Sequence, residues 1–214
     1  MTRPYFAISV VLTVLTLVSV LILYPRMPET VPTHWNFRGE VDGYGPRSTA
    51  FLLPAMMALL LLVFRLLPWL SPRHFELDTF RSTYDCIVLI IMSLTAYIHF
   101  LVMLAYLGVT VNIARALVAG VFLMCALLGN VLGRVRRNFY VGIRTPWTLA
   151  NERVWNDTHR LGAWLFPGAG AIGFILTLAG LPLWLPLVLL APAGLVPVVY
   201  SLVLYKKLER RGEV

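Results

Sequence analysis

The chain reads as an all-α, polytopic membrane helix bundle with six transmembrane helices, and three observations carry that reading. Hydrophobic residues fill 59% of 214 positions against 13% charged, and mean hydropathy is +0.79, outside the range of soluble domains. Six apolar stretches reach the ~20 residues that a helix needs to cross ~30 Å of hydrocarbon with its backbone groups satisfied internally. Lysine and arginine gather in alternate connections, the asymmetry that orients membrane proteins.

The first span, Tyr5–Tyr24, follows Arg3. No small-residue cleavage pattern precedes Tyr24-Pro25-Arg26, so it is expected to persist as a span and not to leave as a signal peptide. Spans 2 and 4, Thr49–Leu70 and Ile113–Leu132, carry Arg65 and Arg115 near their ends, from which long side chains reach head groups. Span 3 is Cys86–Leu107, span 5 Leu161–Gly180 and span 6 Leu183–Tyr205. The tight connections Gly108 to Asn112 and Gly180 to Pro182 make spans 3 and 4, and spans 5 and 6, antiparallel neighbours. Pro167, Pro186, Pro192 and Pro197 predict kinks in the last two spans. Gly129 with Gly133, and Ala169 with Gly173, have the spacing that lets helices approach closely. Tyr5, Tyr24, Trp69, Trp164, Trp184 and Tyr205 fall near span ends, as interfacial aromatics do. Cys86 and Cys125 lie inside apolar runs, with neither disulfide nor zinc spacing. The whole, 1–214, reads as one membrane domain: a helical pair with its outer loop 25–48 within 1–70, a central pair in 84–133, and a loop with two spans in 134–214.

The net charge of +8 lies in short gaps between apolar runs, not along a soluble face. Nucleic acid is therefore not the expected partner, and the head groups of a lipid bilayer are. With the N-terminus in the cytoplasm of a bacterial inner membrane, the inner side holds Arg3, Arg65, Arg73, Arg81, Arg134, Arg136, Arg137, Arg144, Arg153, Arg160, Lys206, Lys207, Arg210 and Arg211. Only Arg26, Arg38, Arg47 and Arg115 of the 18 basic residues remain outside. Both termini are thus expected to be cytoplasmic.

The outer loop between spans 1 and 2 is far longer than packing requires, a length that signals function or disorder. Val31, Trp35, Phe37 and Val41 alternate with polar residues around Arg38-Gly39, which predicts a short hairpin, with Gly43 and Gly45 allowing tight backbone before Pro46 opens helix 2. Its candidate ligand-binding residues are His34, Trp35, Asn36, Glu40, Asp42 and Tyr44. They either bind something outside the cell or form a lid on the bundle. An ion held by His34 and a carboxylate ranks below both, because the spacing matches no established metal motif.

The inner loop before span 5 is the most unusual stretch. Arg134, Arg136 and Arg137 serve as a cytoplasmic retention signal on anionic lipid. Thr145 and Pro146 form a good helix start, as N-cap and first helical position. From there an amphipathic inner helix is expected to run into span 5, with Trp147, Ala150, Val154 and Leu161 on one face. Glu152, Asn156 and His159 follow at i, i+4 and i+7 on another, and Asp157 pairs with Arg153 and Arg160. A carboxylate, an amide and an imidazole on one stripe bind a ligand or move a proton; the alternative is a hydrogen-bonded network holding the loop against its helices. Within or beside the membrane, Asp85, His99 and Asn130 are polar exceptions of the kind that mark function or interhelical bonding.

The segment GNVLGRVRRNFYVGIRTPWTLANERVWNDTHRLGAW resembles the signature of the SdpI family, through Asn130, Gly133, Asn138, Gly142, Arg144, Thr145, Pro146, Trp147, Thr148, Trp155, Thr158 and His159. PETVPTHWNFRGEVDGYGPR is similar to a domain of unknown function that commonly precedes that signature. The resemblance implies immunity to an extracellular toxic peptide, with signalling through a cytoplasmic transcription repressor as partner. A small transporter remains the alternative, motivated by the prolines of spans 5 and 6 and by His99 and Asp85. A membrane metalloenzyme ranks lower: no HExxH, GxSxG or phosphate-loop pattern occurs, and the sequence calls for no catalytic set, no metal and no cofactor.

Overall fold

The computed structural model describes residues 3–36, 38–71 and 77–213; Phe37 of the expected hairpin and Arg73 of the inner charge set lie outside them. The elements are α1 (Arg3–Leu23), β1 (Thr30–Trp35), β2 (Val41–Pro46), α2 (Leu52–Leu70), α3 (Arg81–Tyr106), α4 (Ile113–Leu132), α5 (Pro146–Ala150), α6 (Glu152–Leu178), α7 (Trp184–Leu187) and α8 (Leu190–Glu209). Among the described residues six helical segments are long and apolar enough to cross a membrane: α1, α2, α3, α4, α6, and α7 with α8. The all-helical membrane bundle expected from composition is therefore what forms, with the two-stranded antiparallel ribbon β1–β2 as its sheet.

The helices pack as a path: α1 against α2 and α3, α3 against α4, α4 against α6, and α6 against α8. Two apolar clusters mark opposite ends. One joins Val20 of α1, Val31 of β1, Ala50, and Met103 and Tyr106 of α3, and seats the ribbon; this end is called the hairpin face. The other joins Met57, Leu77, Tyr84, Val88, Val131, Val135 and Trp155, and anchors the loop before α6; this end is called the signature face. The turns expected to pair spans 3 with 4 and 5 with 6 are both left-handed helix endings, with Gly108 at φ +76° and Gly180 at φ +85°. In each the next amide reaches back to close a 6→1 bond, Val109 to the Leu104 carbonyl and Leu181 to that of Leu176.

Three boundaries depart from hydropathy. Helix α3 starts at Arg81, not Cys86, because Arg81 and Asp85 pair one turn apart at 3.5 Å and keep a polar turn helical. Helix α6 starts at Glu152, not Leu161. Asn151, in extended conformation, ends α5 and caps α6 through its side-chain oxygen, which accepts from the Val154 amide at 3.1 Å. The expected amphipathic helix is thus a five-residue α5 followed by the polar first turns of a single 27-residue helix. The last span is interrupted at Val188-Leu189, where Pro192, within the first turn of α8, cannot donate to the Val188 carbonyl and its ring crowds it.

The close approach of α4 and α6 comes from glycines, one of them, Gly170, outside the expected pairs. A Cβ on Gly170 would meet the Ala126 nitrogen at 2.6 Å and the Phe122 oxygen at 2.7 Å; on Gly173 it would meet the Phe122 ring at 2.2 Å. Gly129 is equally tight against Pro167, at 2.4 Å. Gly133 meets only Ala163, at 3.5 Å, and Ala169 is half-buried beside the contact.

Candidate functional site

On the signature face the polar residues of the inner loop are bound to one another. Asn138 is fully buried and ties the loop on four sides: its amide donates to the carbonyls of Arg136 (2.8 Å) and Val141 (2.9 Å), and its oxygen accepts from the amides of Tyr140 and Val141, both at 2.7 Å. Thr145 and Thr148 form a reciprocal capping box at the start of α5. The Thr145 hydroxyl also lies 3.0 Å from that of Ser201 on α8, which attaches the loop to the last span. Arg137 donates to the Leu149 carbonyl at 3.2 Å, and Arg144 to that of Phe139.

Trp155 and His159, one turn apart on α6, complete this latch. Their rings stack with centroids 4.0 Å apart. The indole N–H donates to the Val135 carbonyl at 2.8 Å. His159 Nε2 accepts from the Ile143 amide at 3.0 Å, so the proton sits on Nδ1, which donates to the Trp155 carbonyl at 2.8 Å. Both imidazole nitrogens are therefore committed. Gly142, at φ +117°, passes so close that a Cβ there would lie 2.3 Å from His159 Nε2.

This geometry corrects the expected stripe. Glu152 and Asn156 are exposed while His159 is fully buried, so the carboxylate, amide and imidazole do not converge. Asp157 pairs with Arg160 at 3.0 Å as expected, but Arg153 bonds Glu213 at 2.7 Å instead. Trp147 is half-buried on α5 and Arg144 exposed. His159 belongs to a hydrogen-bonded network that Glu152 and Asn156 do not join.

The hairpin face differs. Gly43 lies opposite His34 across the ribbon. His34 Nδ1 and Asp42 Oδ1 are 2.5 Å apart, with side chains 72% and 44% exposed, so this pair faces water. Tyr44 is exposed, opposite Pro32, and Trp35 is half-buried. Asn36 and Glu40 build the turn: the Asn36 oxygen accepts from the Arg38 and Glu40 amides, and its amide donates to Glu40 Oε2 at 2.8 Å. Of the six outer candidates the structure gathers His34, Asp42 and Tyr44 on the exposed ribbon and uses Asn36 and Glu40 locally.

Beside the ribbon tip a groove of about 640 Å³ opens between Arg38, Asn112, Arg115 and an apolar wall of Leu183, Trp184 and Leu187. Three separate stretches of chain form it, so no local motif announces it. Arg115 is not a snorkelling exception here: its guanidinium donates to the carbonyls of Thr177 (2.6 Å), Gly180 and Leu181 (both 3.2 Å), capping the end of α6.

Two of the intramembrane polar residues, Asp85 and His99, have side-chain partners. Asp85 is fully buried beside Arg81, which also bonds Asp78 at 2.5 Å. His99 Nε2 lies 2.7 Å from the Ser19 hydroxyl, which in turn lies 2.7 Å from the Thr16 carbonyl. With the hydroxyl proton on that carbonyl, His99 donates from Nε2, and its buried Nδ1 has no hydrogen-bond partner among the described residues. The described residues contain no group of three His, Cys, Asp or Glu able to hold a metal ion.

Six spans, a ribbon on one face and a self-bonded loop on the other define a multi-pass membrane protein built around a latched α4–α6 pair. Residues 134–201, which contain that latch, match the model of the SdpI/YfhL protein family, and residues 11–58 match a domain of unknown function, DUF1648. The chain is 28% identical over 171 residues, 79% of its length and 80% of the relative's, to a Bacillus subtilis protein named Immunity protein SdpI. It is 44% identical over 39 residues, 18% of its length and 21% of the relative's, to an uncharacterized protein of Archaeoglobus fulgidus. The chain is SdpI-like, as its inner motif implies. No solved structure matches it.

Proposed function

We propose that this chain acts as an immunity-type receptor in a bacterial inner membrane, with both termini cytoplasmic, engaging an extracellular toxic peptide on its hairpin face. The observation that carries the reading is the groove beside the ribbon tip, whose apolar wall and two guanidinium groups suit an apolar peptide segment that bears a carboxylate. His34, Asp42 and Tyr44 extend the same surface. Similarity to a protein named for immunity agrees with it. A cytoplasmic repressor, the second partner the resemblance implies, would meet the exposed Arg144, Glu152 and Asn156 on the signature face. Peptide binding reaches that face only if it favours one arrangement of the bundle over another.

Expression in a cell sensitive to a membrane-active peptide tests the proposal through survival. Protection is expected, and Trp184→Ala with Arg38→Gln should abolish it at unchanged expression. Unaltered killing by a panel of such peptides, at full expression, contradicts the reading.

One observation favours carriage of a proton or small ion instead: the unpartnered, buried Nδ1 of His99 between α1 and α3. Flux in proteoliposomes that disappears in His99→Gln would support it.

A further inference from the structure

A second groove, of about 750 Å³, lies on the signature face between the end of α4 and the first half of α6. Its mouth carries three arginines, Arg134, Arg136 and Arg160, and one carboxylate, Asp157. Asp157 is bonded to Arg160. Arg134 and Arg136, both exposed, have neither a carboxylate nor a carbonyl partner among the described residues. The mouth therefore holds a surplus of positive charge that the protein itself does not neutralise.

The groove continues from that charged mouth toward the hydrocarbon. One turn up α4 from Arg134 stands Asn130, exposed and inside the apolar Ile113–Leu132 segment; the described residues offer it no hydrogen bond. One turn along α6 from Arg160 stands Trp164, 78% exposed, with Pro167 beyond it. Charge at the mouth, an amide donor one turn deeper and an apolar, aromatic wall above match a molecule with an anionic head and an apolar tail. A free anion would use the mouth and leave the rest of the groove unoccupied.

We propose that this groove is a binding site for an anionic phospholipid: the phosphodiester sits between Arg134, Arg136 and Arg160, Asn130 donates to the glycerol ester region, and an acyl chain lies along Trp164 and Pro167. Basic pockets between membrane helices have this chemistry, and arginine forks suit phosphate oxygens. The bound lipid bridges α4 and α6 beside the latch, since Val135, whose carbonyl takes the Trp155 indole, lines the same groove. The proposal stands apart from the toxin reading, which concerns the other face.

Tryptophan quenching by brominated lipid tests it on the full chain in phosphatidylcholine vesicles. The signal of Trp164 is the difference between the unaltered chain and Trp164→Phe. Brominated phosphatidylglycerol should quench that signal in preference to brominated phosphatidylcholine, by about fivefold for each arginine engaged. Arg134→Gln with Arg136→Gln should reduce the preference to parity, since Asp157 neutralises Arg160; Arg134→Lys with Arg136→Lys should keep most of it, and Lys206→Gln with Lys207→Gln, at the end of α8, should leave it unchanged. Asn130→Leu, which leaves every charge in place, should weaken the quenching by both lipids and leave the preference between them unchanged. Equal quenching by the two lipids overturns the proposal, as does a preference that survives loss of both arginines. Abolition by millimolar inorganic phosphate overturns it too, since the site would then be one for the free anion.

Discussion

Gly142 and His159 show how closely individual side chains are committed on the signature face. An alanine at 142 must hold a φ of +117° and place its Cβ 2.3 Å from His159 Nε2. Gly142→Ala is expected to cost roughly 2–4 kcal/mol, from backbone strain together with overpacking. Trp155→Phe keeps the ring stack but leaves the buried Val135 carbonyl without its donor, at about 1–3 kcal/mol. Both losses should appear as lower midpoints in thermal unfolding of the full chain in detergent; an unchanged midpoint would mean that the latch contributes nothing to stability. Arg115→Leu, which uncaps three carbonyls at the end of α6, should lower the midpoint by a comparable step, about 1–3 kcal/mol. The sequence placed each of these residues in a motif or a span but could not say what each touched. Arg115 reads in the sequence as a side chain reaching head groups, until Thr177, Gly180 and Leu181, more than sixty positions away, come to meet it.

Contact between α4 and α6 is the element-scale feature on which both the latch and the second groove rest. Gly170 is opposed by backbone atoms, which cannot rotate away, whereas a Cβ on Gly168, two residues earlier, would meet nothing within 4 Å. Gly170→Ala should therefore destabilise by roughly 1–3 kcal/mol, and Gly168→Ala should be neutral or stabilise by roughly 0.5 kcal/mol, through loss of chain entropy in the unfolded state. Equal effects in the same melting assay would remove the close-packed interface from the account. Small residues at helical spacing were legible in the sequence, but which of them face the partner helix was not: Gly133 has the right spacing and little contact. The starts of α3 and α6 were misplaced for a related reason. Hydropathy ends a span where charge begins, while Arg81 with Asp85, and Trp155 with His159, continue the helix through polar turns.

Taken whole, the molecule divides its polar residues between two faces with different tasks. Hydrophobic length fixed the six spans, and charge asymmetry predicted their direction. The ribbon was legible from alternation around a turn, and Val31 seats it by burying against α1 and α3. Neither groove was legible, because each is assembled from stretches far apart in the chain and depends on which helices adjoin. The division gives the bundle an exposed surface beside the ribbon and a loop bound to itself on the opposite end. The receptor reading requires those two ends to be separated by a bilayer. Single cysteines at positions 44 and 156, in a chain with Cys86 and Cys125 replaced by alanine, measure this directly with a membrane-impermeant maleimide on intact cells. Tyr44→Cys should react at once, and Asn156→Cys only after permeabilisation. Reaction of both in intact cells, or of position 156 first, would contradict the account.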